Sequence, residues 1–192
     1  LSQREKTANF LVACGNYCII ATCFFIPLST SLMGLFSCLV VLFWFLSGRI
    51  FSIHKLLLHS PVSCVSLALF LLFVIGILYS PVDYETSLQT LAKYRELIFI
   101  PAVIGLAKGN RKYITIARES YVAGSILLMF ISFGMAFSLI PIERYGNSIL
   151  HHITHSYFMA FLAFLSLHNS FDSKQYRYFW IFIFITATIN II

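Results

Sequence analysis

From residue 7 to residue 48 the chain carries no charged side chain, and that stretch decides most of what it can become. One crossing of the hydrocarbon layer takes about 20 apolar residues, so the stretch is about twice as long as a single crossing needs. It is interrupted at residues 27–31 (PLSTS), and a proline followed by small hydroxyl residues is a turn signal. The spacing predicts two membrane helices, residues 9–26 and 31–47, joined by a tight turn. The rest of the composition agrees, with 59% hydrophobic and only 10% charged residues against about 25% charged in a soluble domain. The 20 Phe, 10 Tyr and 2 Trp are more than one soluble core would hide, whereas a bilayer solvates them. A water-soluble globule is excluded. The expected fold class is an all-α integral membrane protein, a polytopic helical bundle forming a single transmembrane domain over residues 1–192.

Further helices follow from local signals. Ser60 and Pro61 form an N-cap followed by proline at the first helical position, which predicts a third helix running to Tyr79. Over residues 84–107 a polar, partly amphipathic opening leads into an apolar run containing Pro101. That pattern suits an interfacial helix turning into a kinked membrane helix. A fifth span is expected over residues 121–140, ending at Pro141, and a sixth over 155–167. A seventh begins near Tyr178, where only 15 residues remain. The count predicts about six complete spans and a truncated seventh. With Leu1 in place of an initiator methionine, the sequence is expected to be an N-terminal fragment of a longer protein.

Lysine and arginine placement predicts the orientation. With the N-terminus cytoplasmic, ten cations fall inside (Arg4, Lys6, Arg49, Lys55, Lys108, Arg111, Lys112, Arg118, Lys174 and Arg177) and only Lys93, Arg95 and Arg144 outside. Cytoplasmic loops collect such residues, so the net charge of +6 reads as a topology signal and gives no reason to expect nucleic acid as a partner. The five cysteines lie in apolar runs and read as small packing residues, without a disulfide framework. No glycine-rich phosphate loop, nucleophile elbow or paired-carboxylate signature occurs.

The informative residues are those that break the charge rule. Lys93 and Arg95 sit at the threshold of a membrane helix on the side kept poor in cations. On a continuous helix Lys93 and Glu96 would pair, while Arg95 would point along the apolar stripe of Leu88, Leu91, Ile98 and Phe99. Such an arginine either anchors to lipid headgroups or holds an anionic ligand through its bidentate fork. Farther on, Arg144 precedes His151, His152 and His155. Two histidines one turn apart without a third ligand are a poor metal site, and no metal is expected. They either carry protons or hydrogen-bond sugar hydroxyls at the outer mouth of the sixth helix, or sit in an ordinary interfacial loop. Arg144 and His155 are the two expected to face a substrate.

Residues 91–101 (LAKYRELIFIP), preceded by Ser80 and Pro81, together with residues 147–161 containing HHITHSYFMA, resemble the O-antigen ligase family of polytopic bacterial membrane glycosyltransferases. The resemblance implies transfer of a glycan from undecaprenyl diphosphate to lipid A-core on the periplasmic face of the bacterial inner membrane. The partners would be the lipid-linked donor, the lipid A-core acceptor and membrane lipids, with no metal or cofactor. Lys93 and Arg95 would contact the diphosphate, with Arg144 and His155 lining the same cavity. The family's general base is a histidine in a periplasmic loop that would follow Ile192, so the catalytic base is unassigned and this stretch is expected to be inactive alone. A related polymerase of lipid-linked repeat units shares the donor, and a membrane transporter is the rival from another class.

Overall fold

The computed structural model describes residues 3–107, 110–137, 151–172 and 174–191. Among the described residues all regular structure is helical: α1 (Gln3–Phe25), α2 (Thr30–Leu46), α3 (Ile53–His59), α4 (Pro61–Leu78), α5 (Tyr84–Lys93), α6 (Glu96–Ala107), α7 (Arg111–Ala136), α8 (His152–Asp172) and α9 (Arg177–Ile189).

The helix ends follow from local chemistry. The chain turns after α1 at Pro27, with the Leu28 and Ser29 amides both donating to the Phe25 carbonyl (3.0 and 2.9 Å). Gly48 follows α2 with φ 74°, a left-handed conformation that glycine adopts without steric cost. There the chain bends by 76° into residues 49–59. Ser60 caps α4 by accepting from the Ser63 amide at 3.3 Å, ahead of Pro61.

Among the described residues three helices are long and apolar enough to cross a membrane: residues 5–25 of α1, and all of α4 and α7. The number becomes four if α2 and the bent segment after it are one broken span. The expectation of six complete spans is therefore corrected. α6 has 12 residues, about 18 Å at 1.5 Å per residue, and falls short of the hydrocarbon thickness. α8 is long enough but carries His152, His155, His168, Asn169 and Asp172 near its ends; α9, expected as an incomplete span, has 13 residues. Hydropathy counted each apolar run as a crossing, whereas several end before they are long enough. The exposed apolar residues support a bilayer around the long helices. On α4 alone Val62, Val65, Leu69, Leu72, Ile75 and Leu78 are open, a surface that water does not tolerate and lipid does.

The chain forms two compact units. The first comprises Leu1–Ile19 and Gly34–Thr115. In it α6 packs on α4, and α6 also meets α1 and α2 at two glycines. A methyl on Gly15 would lie 2.8 Å from Leu106, and one on Gly105 would lie 2.6 Å from Trp44 Nε1, so both sites hold the helices close. Val40, Trp44, Ala102 and Leu106 form its buried centre. The second unit comprises Ile20–Met33 and Ile116–Ile192. Its core joins Leu128 and Met129 of α7 to Met159 and Leu162 of α8 and Ile183 and Ala187 of α9.

Candidate functional site

At one end of the first unit a hollow lies along the stretch of α5 that leads to Lys93. Asp83 starts α5: its Oδ2 accepts from the Thr86 amide and the Thr86 hydroxyl, both at 3.0 Å. Those two hydrogen bonds hold the Asp83 carboxyl below its ordinary pKa, because they favour the charged form. α5 then presents Thr86, Ser87 and Thr90 to a hollow of about 420 Å³, whose other wall is the end of α4 at Phe73, Gly76 and Ile77. Its lining combines apolar side chains with hydroxyls. Lys93 lies three residues beyond Thr90, one turn farther along α5.

The chain breaks between α5 and α6. Tyr94 closes α5 through its amide to the Leu91 carbonyl (2.9 Å), and α6 restarts with Leu97 and Ile98 bonded to the Tyr94 and Arg95 carbonyls (3.0 Å each). The Tyr94 ring packs on Phe73, centroids 4.4 Å apart. This break overturns the expected pairing of Lys93 with Glu96. The pair needed one continuous helix, and with α5 ending at Lys93 the two side chains make no ion pair. Arg95 lies against α2, where a methyl on Gly34 would sit 3.3 Å from its Nη2. Gly34 was passed over in the sequence; the one signal was a glycine within the apolar run of 31–47, where a bare backbone leaves room for a bulky neighbour.

Arg49 marks the other end of the unit. Its Nη1 donates to the Gly105 and Leu106 carbonyls at 2.8 and 3.0 Å, satisfying groups that the end of α6 leaves open. Thus α6 starts beside Gly34 and ends beside Trp44 and Arg49, parallel to α2. Gly34 and Trp44 are ten residues apart on α2, about 15 Å along its axis. Arg95 and Arg49 are held at opposite ends of this pair of helices.

His155 lies in the second unit. Only 5% exposed, its ring is turned into the packing, and its Nε2 donates to Asn190 Oδ1 of the α9 end at 2.7 Å. Its Nδ1 is buried without a hydrogen-bond partner. Ser156 reinforces the junction by donating to the Ile191 carbonyl at 3.2 Å. His151 and His152 stay outside, their rings 4.2 Å apart. Arg144 lies outside the described residues. None of the five cysteines forms a disulfide, and among the described residues no three His, Cys, Asp or Glu side chains converge on a metal position.

The first unit therefore offers two cations, an aromatic ring and hydroxyls at one end of an apolar helix pair, an arrangement suited to an anion carried on an apolar tail. No family profile, curated protein or solved structure matches the chain.

Proposed function

We propose that the chain belongs to an O-antigen ligase-like glycosyltransferase that moves a glycan from undecaprenyl diphosphate to lipid A-core on the periplasmic face of a bacterial inner membrane. The observation that supports this reading is the break between α5 and α6, which separates Lys93 from Glu96, with Lys93 one turn beyond Thr90 of the hollow and Arg95 against Gly34 of α2. A diphosphate is already a leaving group, so the protein has to supply positive charge as the glycosidic bond breaks, and a base for the acceptor hydroxyl. In this reading the Arg95 guanidinium takes the diphosphate oxygens through its fork, Lys93 adds a second charge, and the hollow receives apolar or hydroxyl-bearing parts of the donor.

The test is glycan transfer in the source strain, with the protein replaced by variants. Arg95→Ala is expected to lower transfer by about 100-fold at unchanged abundance, with lipid-linked polymer accumulating. Gly34→Val is expected to act in the same direction by displacing the guanidinium. Full transfer by an abundant Arg95→Ala protein would overturn the assignment. Accumulation of single repeat units would identify the polymerase reaction instead.

A further inference from the structure

We propose that a hollow in the second unit, at the end of the α8–α9 hairpin remote from His155, binds an aminophospholipid: a phosphate ester with a primary ammonium, anchored by acyl chains. The hollow has a volume of about 480 Å³, within the range of about 300–1,000 Å³ that small-molecule sites occupy. Its lining is graded. Arg118 and Glu119 of α7, Asn169 and Asp172 of α8, and Tyr176 at the start of α9 make a polar mouth. Val122, Ala123 and Ile126 continue the same face of α7 in steps of about one turn, and Trp180 faces them from α9. A polar mouth leading into an apolar wall matches an amphiphile in shape and polarity.

The charges select the headgroup. One guanidinium stands against two carboxylates, so a simple anion meets a mouth with an excess negative charge, and a ligand bearing its own cation is favoured. Arg118 has the fork geometry for a phosphate. Asp172 and Glu119 are acceptors for an ammonium, and the Tyr176 and Trp180 faces attract the same group. Asp172 is held only loosely, by His168 Nε2 at 3.5 Å with both side chains more than half exposed. Lys174 and Arg177 do not line the hollow, which leaves Arg118 as its cation. A glycerol headgroup lacks the ammonium, and a choline headgroup lacks the N–H donors that two carboxylates require. The site belongs to the second unit and the proposed donor site to the first, and its test does not depend on glycan transfer.

Trp180 is the reporter. The protein is reconstituted into phosphatidylcholine vesicles containing lipids brominated on the acyl chain, which quench indole fluorescence on contact. The Trp180 signal is the difference between the unaltered protein and Trp180→Phe. At equal mole fraction, brominated phosphatidylethanolamine is expected to quench Trp180 about threefold more effectively than brominated phosphatidylcholine or phosphatidylglycerol. Asp172→Asn combined with Glu119→Gln is expected to abolish that preference. Equal quenching by all three lipids, a preference for phosphatidylglycerol, or a preference that survives loss of both carboxylates would each overturn the proposal. Displacement by free phosphoethanolamine would also overturn it, in favour of a water-soluble phosphoamine; failure to displace supports the anchored lipid. If Trp180→Phe does not fold, the phosphatidylethanolamine retained by the unaltered protein and by Asp172→Asn, counted by native mass spectrometry, reads the same preference.

Discussion

At the scale of single residues, His155 shows what a motif conceals. The run at 151–155 drew attention in the sequence because three imidazoles are unusual at a helix start. Nothing local said which would turn inward, since His151, His152 and His155 share the same chemistry and differ only in the face they occupy. Burial against α9 selects His155, and its partner Asn190 went unnoticed as a lone polar residue in an apolar run. The pairing has a measurable consequence. Asn190→Ala strands a buried imidazole with neither nitrogen bonded, and a buried polar group losing its partner costs about 1–3 kcal/mol. The thermal midpoint in detergent is expected to fall. Replacing both partners, His155→Leu with Asn190→Leu, is expected to recover part of the loss, because the desolvated nitrogen is then gone. A midpoint that does not respond to Asn190→Ala would show that the hydrogen bond adds nothing to the junction.

At the scale of elements, legibility followed the range of the signal. The start of α4 was readable because Ser60 and Pro61 act within one turn, and the turn after α1 because Pro27 and its neighbours do. The change within residues 84–107 from a polar interfacial helix to an apolar one containing Pro101 was readable from composition, but the break at Tyr94 was not. Lys93, Tyr94 and Arg95 all tolerate a helix, and the break depends on contacts distant in sequence, Tyr94 on Phe73 and Arg95 against Gly34. The start of α5 is local again and carries a pH dependence. Two hydrogen bonds to Thr86 lower the Asp83 pKa in the folded state, so folding favours the ionised carboxylate. The stabilisation is complete above the unfolded value of about 3.9 and is lost as pH falls through the lower, folded value. Amide exchange at Thr86 and Ser87 is expected to accelerate relative to the α4 amides as pH drops below about 4, once intrinsic exchange rates are divided out. Asp83→Asn, which keeps an acceptor oxygen without the charge, is expected to remove that acceleration. If protection of these amides were the same at pH 3 and pH 6, the cap would not be contributing.

For the whole molecule, hydropathy identified the solvent correctly and the number of crossings wrongly. Composition is a sum over the chain and survives errors of boundary, whereas each crossing depends on a helix reaching full length, and α6 stops short. What the contacts add is direction within the first unit. α4 is long enough to cross and leads from the segment bearing Arg49 and Lys55 to the segment bearing Lys93 and Arg95, while α6 returns toward Arg49. The orientation expected from the cation bias would put the Arg49 end in the cytoplasm. In a background with the five native cysteines changed to alanine, Glu85→Cys is therefore expected to react with a membrane-impermeant maleimide on intact cells, and His59→Cys only after the membrane is opened. Labelling of both from outside would mean that α4 does not cross. The reversed pattern would place Arg95 in the cytoplasm, away from the periplasmic diphosphate it is proposed to hold, and the glycosyltransferase reading would fall while the fold of the unit stood unchanged.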